Sequence, residues 1–417
     1  MRIVYLHQYF NTRDAASSIR SYEMARRLVA RGHEVHMVTT ARDPQHAFPG
    51  WRVEKVDGIR VHRTFVPYSN RLSHRQRLSA FATFAARAGA RARRLRGDVV
   101  FASSTPLTIA LPARWALLGR STPLVFEVRD LWPEVPIALG VLRNPVARTL
   151  AWGLQRFAYA RADHIVALSP DMAAGVVARG YPSSHVTVIP NSADLDLFTA
   201  TPEEGRQLRE SFDWLGTRPL AVYCGTLGRV NDVGYVVRLA REALSSRPEY
   251  RFLIMGDGAE RELVRRRAAE AGVLDRNLFL LAPRPKTEIG QVYAAATVCL
   301  STVAPVEALW ANSANKVFDA FAAGRPVAIN HRGWQADLLE ESGAGVVLDP
   351  HDAGAALRTL STLMDRPEQA RAAGRAARRL ATDVFARDLH AQQLAAVLES
   401  VGPRRTRRPS FRAESGT

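Results

Sequence analysis

A chain of 417 residues, 47% of them hydrophobic, has the apolar content for two or three cored domains. Its net charge of +17 calls for an anionic partner: nucleic acid, a membrane surface or a phosphorylated substrate. No finger spacing, aromatic-rich RNA-binding strand motif or helix-turn-helix signal is present, so nucleic acid is not expected.

Taken in chain order, "RIVYLH" reads as a strand. The first residues show no charged leader before an apolar core, so a cytoplasmic chain is expected. The loop "NTRDAASSIR" brings Ser17, Ser18 and Arg20 to a helix start, a candidate phosphate nest. The helix "SSIRSYEMARRLVARGHE" follows, with Ile19, Tyr22, Met24, Ala25 and Leu28 as its inward stripe, and "VHMVTT" is the next strand. Residues 71–96 hold eight arginines and no acid, with Leu78, Phe81, Phe84 and Ala85 at helical spacing. That pattern suits an anionic bilayer face, and equally a basic helix packed on its own domain. The apolar stretch "VVFASSTPLTIALPARWALLG" is broken by Pro106, Pro112 and Arg114 and does not read as a spanning helix.

Further strands are expected at "DVVFASS", "PLVFEVRD", "HIVALS" and "VTVIP". Apolar strands alternating with helices indicate a parallel sheet covered on both faces. The segment "FEVRDLWPE" packs Glu127, Arg129, Asp130 and Glu134 at a strand end, where unpaired charge is costly. Either Arg129 pairs with Asp130 or Glu134, or Asp130 is placed to hold a polar substrate group. Asp194 and Asp196 form a D-x-D in "PNSADLDLF", read as a turn at the domain exit rather than a metal site. The polar segment "LDLFTATPEEGRQLRE", with Pro202 and Gly205, breaks the rhythm and is read as a linker at 199–207, closing a first domain at 1–198.

The rhythm then restarts over 208–383 with "PLAVYCGTLG", "YRFLIMGDG", "NLFLLAP", "TVCLST", "RPVAIN" and "GAGVVLD". Cys224 and Cys299, the two cysteines, sit singly in these apolar runs, which predicts buried free thiols. No Cys or His cluster has metal spacing, and no metal or other cofactor is expected. In "YCGTLGRVND", Gly225 and Gly228 let a ligand approach the backbone, and Arg229 offers a cation to a diphosphate. "IMGDGAERE" is not a dinucleotide-binding fingerprint, because Arg261 stands where the third glycine belongs.

Only three of the 57 basic residues are lysines: Lys55, Lys286 and Lys316. A chain that prefers arginine keeps a lysine in "NSANKVFDAFAAGRPV", in the first turn of a helix capped by Asn315 or Ser313. Free N–H groups and the helix dipole already favour an anion there and disfavour a cation. The placement makes sense if a phosphate sits between them and the flexible ammonium; the alternative is a surface lysine there by chance. Asp319, one turn on, reads either as holding a sugar hydroxyl pair or a ribose, or as a helix-surface acid. A helix at 384–400 is expected to cross back to the first domain, and 401–417 reads as a disordered basic tail.

The stretches "LHQYF…SSIRSYEMARRLVARGHEV", "FEVRDLWPE", "VTVIPNSADLDLF", "GTLG", "MGDG" and "NSANKVFDAFAAGRPV", in this order and over residues 1 to 395, resemble the family-4 retaining glycosyltransferases of GT-B fold. The resemblance is to the branch that builds capsule, O-antigen and exopolysaccharide repeats. It implies an α/β architecture of two tandem Rossmann-like doubly wound domains facing a cleft. It implies a nucleotide-sugar donor, UDP-linked by preference, with Gly225, Arg229 and Lys316 at the diphosphate. Asn315 and Asp319 would face the ribose or sugar, and the loop "APRPKTE" with Arg284 the base. The acceptor, a saccharide or lipid-linked saccharide, would enter beside Asp130 and Arg20. The sequence departs from the family at three places: Ala311 stands at the first acid of E-x7-E, a His-Asp pair reads Arg129-Asp130, and an Arg–Lys pair is reduced to Arg229. Metal-independent transfer to a cell-surface polysaccharide intermediate is the function expected. An epimerase-like enzyme on the same fold, a natural-product acceptor, or a non-catalytic basic membrane- or nucleic-acid-binding protein are the alternatives.

Overall fold

The structure is a computed structural model describing residues 1–42, 47–67 and 74–402. The tail expected at 401–417 lies outside these residues from 403 onward, as do residues 71–73 of the basic stretch.

The first domain carries β1 (Arg2–Leu6), β2 (Glu34–Ala41), β3 (Trp51–Val56), β4 (Ile59–Phe65), β5 (Val99–Ser103), β6 (Leu124–Val128), β7 (His164–Ala167) and β8 (Val186–Val188). They form one sheet of order β3-β4-β2-β1-β5-β6-β7-β8, parallel except for the antiparallel β3–β4 pair. Its helices are α1 (Arg20–Ala30), α2 (His74–Leu95), α3 (Ala110–Ala116), α4 (Glu134–Ala138), α5 (Pro145–Arg161) and α6 (Pro170–Ala178). β1, β5 and β6 are buried almost throughout because helices cover both faces of the sheet. The β3–β4 hairpin turns at Asp57 (φ 45°) and Gly58 (φ 83°), an Asp-Gly pair whose two positive φ values match the twist of the strands.

The second domain begins with α7 (Pro202–Glu210). The segment expected as a linker at 199–207 is therefore mostly helix. Thr201 and Glu204 form a capping box, Pro202 occupies the first turn where no donor is needed, and Gly205 lets α7 lie on Ala294. Then follow β9 (Leu220–Cys224), α8 (Gly234–Ser246), β10 (Arg251–Met255), α9 (Arg261–Glu270), β11 (Leu278–Leu281), α10 (Ile289–Ala295), β12 (Val298–Ser301), α11 (Asn315–Ala322), β13 (Val327–Ile329), α12 (Trp334–Ser342), β14 (Gly345–Val347), α13 (Ala353–Met364) and α14 (Pro367–Asp383). The six strands are parallel, in the order β11-β10-β9-β12-β13-β14. Cys224 and Cys299 are buried and free.

α15 (Arg387–Val401) returns to the first domain, where Ala391, Leu394, Ala395 and Leu398 join Ile3, Tyr5 and Leu28 in one apolar cluster. The two chain crossings meet. The Ala193 N–H donates to the Phe385 carbonyl at 2.8 Å, and the Arg387 N–H to the Ala193 carbonyl at 3.0 Å. Of the two readings of α2, packing on its own domain holds for the inner half of the stripe, while Leu78 stays exposed and Phe81 half-buried. Phe84 and Ala85, with Ala88 and Ala92, are buried on their own domain, because an uncovered sheet face is the nearer apolar surface.

Candidate active site

Strand order reverses between β1 and β5 in one sheet and between β9 and β12 in the other. Loops leaving the carboxyl ends of such strands diverge and open a crevice. Here the two crevices face each other and form a single cleft of about 740 Å³.

The second-domain wall is built around α11. Its N-cap is Ala314, and no side chain caps the helix. The expected caps are engaged elsewhere: Ser313 Oγ accepts the Asn191 N–H at 3.0 Å, and Asn315 Nδ2 reaches Ser18 Oγ across the cleft at 3.5 Å. The first N–H groups of α11 are thus left to the cleft. Lys316, in that turn, sends its ammonium to Asn231 Oδ1 at 3.2 Å and over the Tyr223 ring at 5.0 Å. Gly225 (φ 154°) admits it, since a Cβ there would lie 2.8 Å from Lys316 Cε. Burial lowers the Lys316 ammonium to about 8 despite the opposing pull of Asp319.

Asp319 is buried and ion-paired with Lys286, whose ammonium also lies over the Phe198 ring at 5.4 Å. Burial raises the Asp319 carboxyl against the attraction of Lys286. Arg284, half-buried on the same loop as Lys286, lines the cleft. Asp194 also lines it but is held by Arg387 at 2.8 and 2.9 Å, while Asp196 is held by Arg13 at 2.5 Å. The D-x-D carboxylates are therefore committed to arginines at the domain exit.

On the first-domain wall, Asp130 is open to the cleft and accepts from Thr105 Oγ1 at 3.2 Å. Arg129 pairs with neither Asp130 nor Glu134. It reaches His7 Nε2 at 3.0 Å and Ser18 Oγ at 3.2 Å. His7 is buried, with its other ring nitrogen 2.8 Å from Ser21 Oγ. Burial, then the Arg129 charge, holds its pKa well below the usual histidine value. Glu134 is taken by Arg179 at 3.1 Å.

Two expected cations lie elsewhere. Arg20 is not in a phosphate nest: it is fully buried, donates to Glu127 at 2.8 and 3.0 Å and to the carbonyls of Ile189 and Pro190, and does not line the cleft. The buried Glu127 carboxylate requires a partner and claims the guanidinium. Arg229 is exposed and does not line the cleft either. The turn Arg229–Asn231 ends at left-handed Asp232 (φ 37°), and it is Asn231 that the turn presents to Lys316. Asn231, His7 and Lys286 are the site residues that motif reading passes over.

The site thus combines an uncapped helix N-terminus, an ammonium, a bare glycine strand end and the cations Arg284 and Lys286. Such a set binds a polyanion and stabilises charge developing on it.

Two family descriptions match: "Glycosyl transferase 4-like domain" over residues 17–192 and "Glycosyl transferases group 1" over residues 205–380. A 2-deoxystreptamine glucosyltransferase from Streptomyces kanamyceticus is 26% identical over 58% of this chain and 61% of its own length, so the match spans under two thirds of that relative. The probable glycosyltransferase WbjE of Pseudomonas aeruginosa is 25% identical over 71% of this chain and 73% of its own. The crystal structure of HepE from Anabaena in complex with UDP and glucose superposes with a TM-score of 0.72 at 18% identity, covering 96% of this chain and all of that one. This last likeness speaks for the GT-B fold. With both family descriptions falling one on each domain, the chain belongs to the glycosyltransferases, a 4-like domain followed by a group 1 domain.

Proposed function

We propose that the protein is a retaining, metal-independent transferase that moves a hexose or N-acetylhexosamine from a UDP-sugar to a saccharide or lipid-linked acceptor in cell-surface polysaccharide synthesis. It works in the cytoplasm, peripheral to the membrane, with the basic stretch 71–96 as a source of attraction. The observation that carries the reading is the convergence of the Lys316 ammonium, the uncapped start of α11 and Gly225 on one point of the cleft. A diphosphate seated there has the first domain on one side, with Ser18 and Asp130, and the Asp319–Lys286 pair with Arg284 on the other. The sugar must face the acceptor, so the sugar lies toward Asp130 and the nucleoside toward Asp319 and Arg284. HepE with UDP and glucose supports a uridine nucleotide.

In the reaction the bond from the anomeric carbon to the diphosphate oxygen breaks. The acceptor hydroxyl attacks from the same face, its oxygen bonds to the anomeric carbon, and its proton passes to the leaving diphosphate. Lys316 and the N–H groups of α11 stabilise the charge gathering on that oxygen, worth about 3 kcal/mol for one well-placed donor. Closure of the cleft excludes water and limits hydrolysis.

A panel of UDP-, GDP- and dTDP-sugars, assayed with EDTA for nucleoside diphosphate release, tests this. Acceptor-dependent release is expected. Donor isomerised without acceptor would indicate the epimerase-like alternative, and no donor binding by calorimetry the non-catalytic one. A small-molecule acceptor is the second reading, favoured by the 2-deoxystreptamine glucosyltransferase among the relatives.

A further inference from the structure

Of the fourteen large hydrophobic side chains exposed among the described residues, nine lie between Leu78 and Phe157. On α3 and the turn after it they fall at Leu111, Trp115 and Leu118, and on α5 at Val146, Leu150 and Phe157, each set along one side of its helix. The opposite sides are inward: Ala113 and Ala116 from α3, Leu117 just after it, and Ala158 and Tyr159 from α5 belong to the domain core. The outward sets are contiguous. The Arg114 guanidinium lies over the Phe157 ring at 4.9 Å, joining α3 to α5, and Trp115 lies on Gly89, joining α3 to α2.

The charge around this ridge is one-sided. α2 contains six arginines, α3 one and α5 three, and none of the three helices contains an acid. Among the described residues Arg161, at the end of α5, pairs with Asp163 at 3.2 Å, but no carboxylate pairs with Arg94, Arg114 or Arg156, and Arg93 and Arg120 turn to backbone carbonyls. An uncompensated basic field around an outward apolar ridge is what an anionic interface recognises: burial of the apolar groups and attraction of the arginines act together. A second copy of this chain fits poorly, because a two-fold contact would set arginines against arginines. Nucleic acid would leave the apolar ridge against a polar, charged ligand.

We propose that the α3–α5 ridge, rimmed by the arginines of α2, α3 and α5, is the face by which this protein docks on an anionic lipid bilayer. The apolar anchor is thus on α3 and α5, and α2 contributes charge. From Asp130 in the cleft the chain runs through exposed Trp132, α4 and exposed Val141 into α5, which links the ridge to the first-domain wall of the cleft. The docking face rests on no assumption about donor or acceptor.

Flotation of the full chain with phosphatidylcholine vesicles and with equimolar phosphatidylcholine–phosphatidylglycerol vesicles tests it. Floating is expected only with the anionic vesicles and falls as salt is raised. The double variant Leu118→Asp, Leu150→Asp is expected to lose partitioning roughly tenfold or more, with circular dichroism and thermal transition unchanged. The variant Arg94→Ala, Arg156→Ala, which leaves the ridge intact, is expected to weaken the preference for the anionic vesicles. Wild-type protein that stays with the soluble fraction, or a Leu118→Asp, Leu150→Asp variant that floats as wild type does, overturns the proposal. So does a wild-type dimer, seen by light scattering without vesicles, that the same double variant dissociates.

Discussion

Lys316 Nζ stands 3.2 Å from Asn231 Oδ1, and this contact ties the first turn of α11 to the turn after β9. Each partner comes from the carboxyl end of a strand at the sheet's reversal point. The amide oxygen is neutral, so it orients the ammonium without cancelling its charge. An arriving phosphate can take the remaining N–H donors.

Replacing Lys316 by alanine removes a cation from the leaving group, together with its contact over the Tyr223 ring. Turnover is expected to fall by about a hundredfold or more, following the ~3 kcal/mol of one lost donor. Circular dichroism should match wild type, and near-normal turnover would remove Lys316 from the mechanism.

The pH profile should carry the same signature. With the ammonium lowered to about 8 by burial, kcat/KM is expected to decline as pH rises through that value. Stability runs in the opposite sense. Between about 8 and the ordinary lysine value of 10.5 the folded chain holds fewer protons than the unfolded chain, so this group adds stability as pH rises. A kcat/KM profile flat from neutrality to above that value would contradict the assignment.

Arg20 is expected to act on stability. Arg20→Ala strands the buried Glu127 carboxylate, at a cost of about 3–5 kcal/mol in urea unfolding. The paired replacement Arg20→Met with Glu127→Leu should cost less than Arg20→Ala alone, an ordering that a phosphate-binding role would not produce.

Arg284→Ala separates binding from chemistry. This residue lines the cleft, and in the proposed donor orientation it stands on the nucleoside side, away from the bond that breaks. KM for the donor is expected to rise about tenfold with kcat nearly unchanged, the mark of uniform binding. A fall in kcat alone would place Arg284 at the reacting centre.

The alternation of apolar strands and helices was legible because strands covered on both faces read as continuous apolar runs. The Asp57-Gly58 hairpin escapes that reading, although a D-G pair between alternating residues is itself a signal. α7 escapes because Pro202 and Gly205 act as breakers in a loop but are tolerated at a helix start and at a helix crossing. The scarcity of lysine points to Lys316, and by the same rule to Lys286; Lys55, on exposed β3, shows the rule's limit. Arg20 could not be assigned locally, since its partner Glu127 stands 107 residues away. Arg229 and Asn231 differ in placement through the path of a single turn, which no spacing encodes.

The two backbone crossings near Ala193 and Ala386 are stitched to each other rather than set apart. Two covalent tethers fastened at one place act as a pivot: the lobes can open and shut like covers on a spine, while sliding past one another would tear the stitch. Arg387 grips Asp194 at that spine, and both residues line the cleft, so the stitch and the floor of the site share the same side chains.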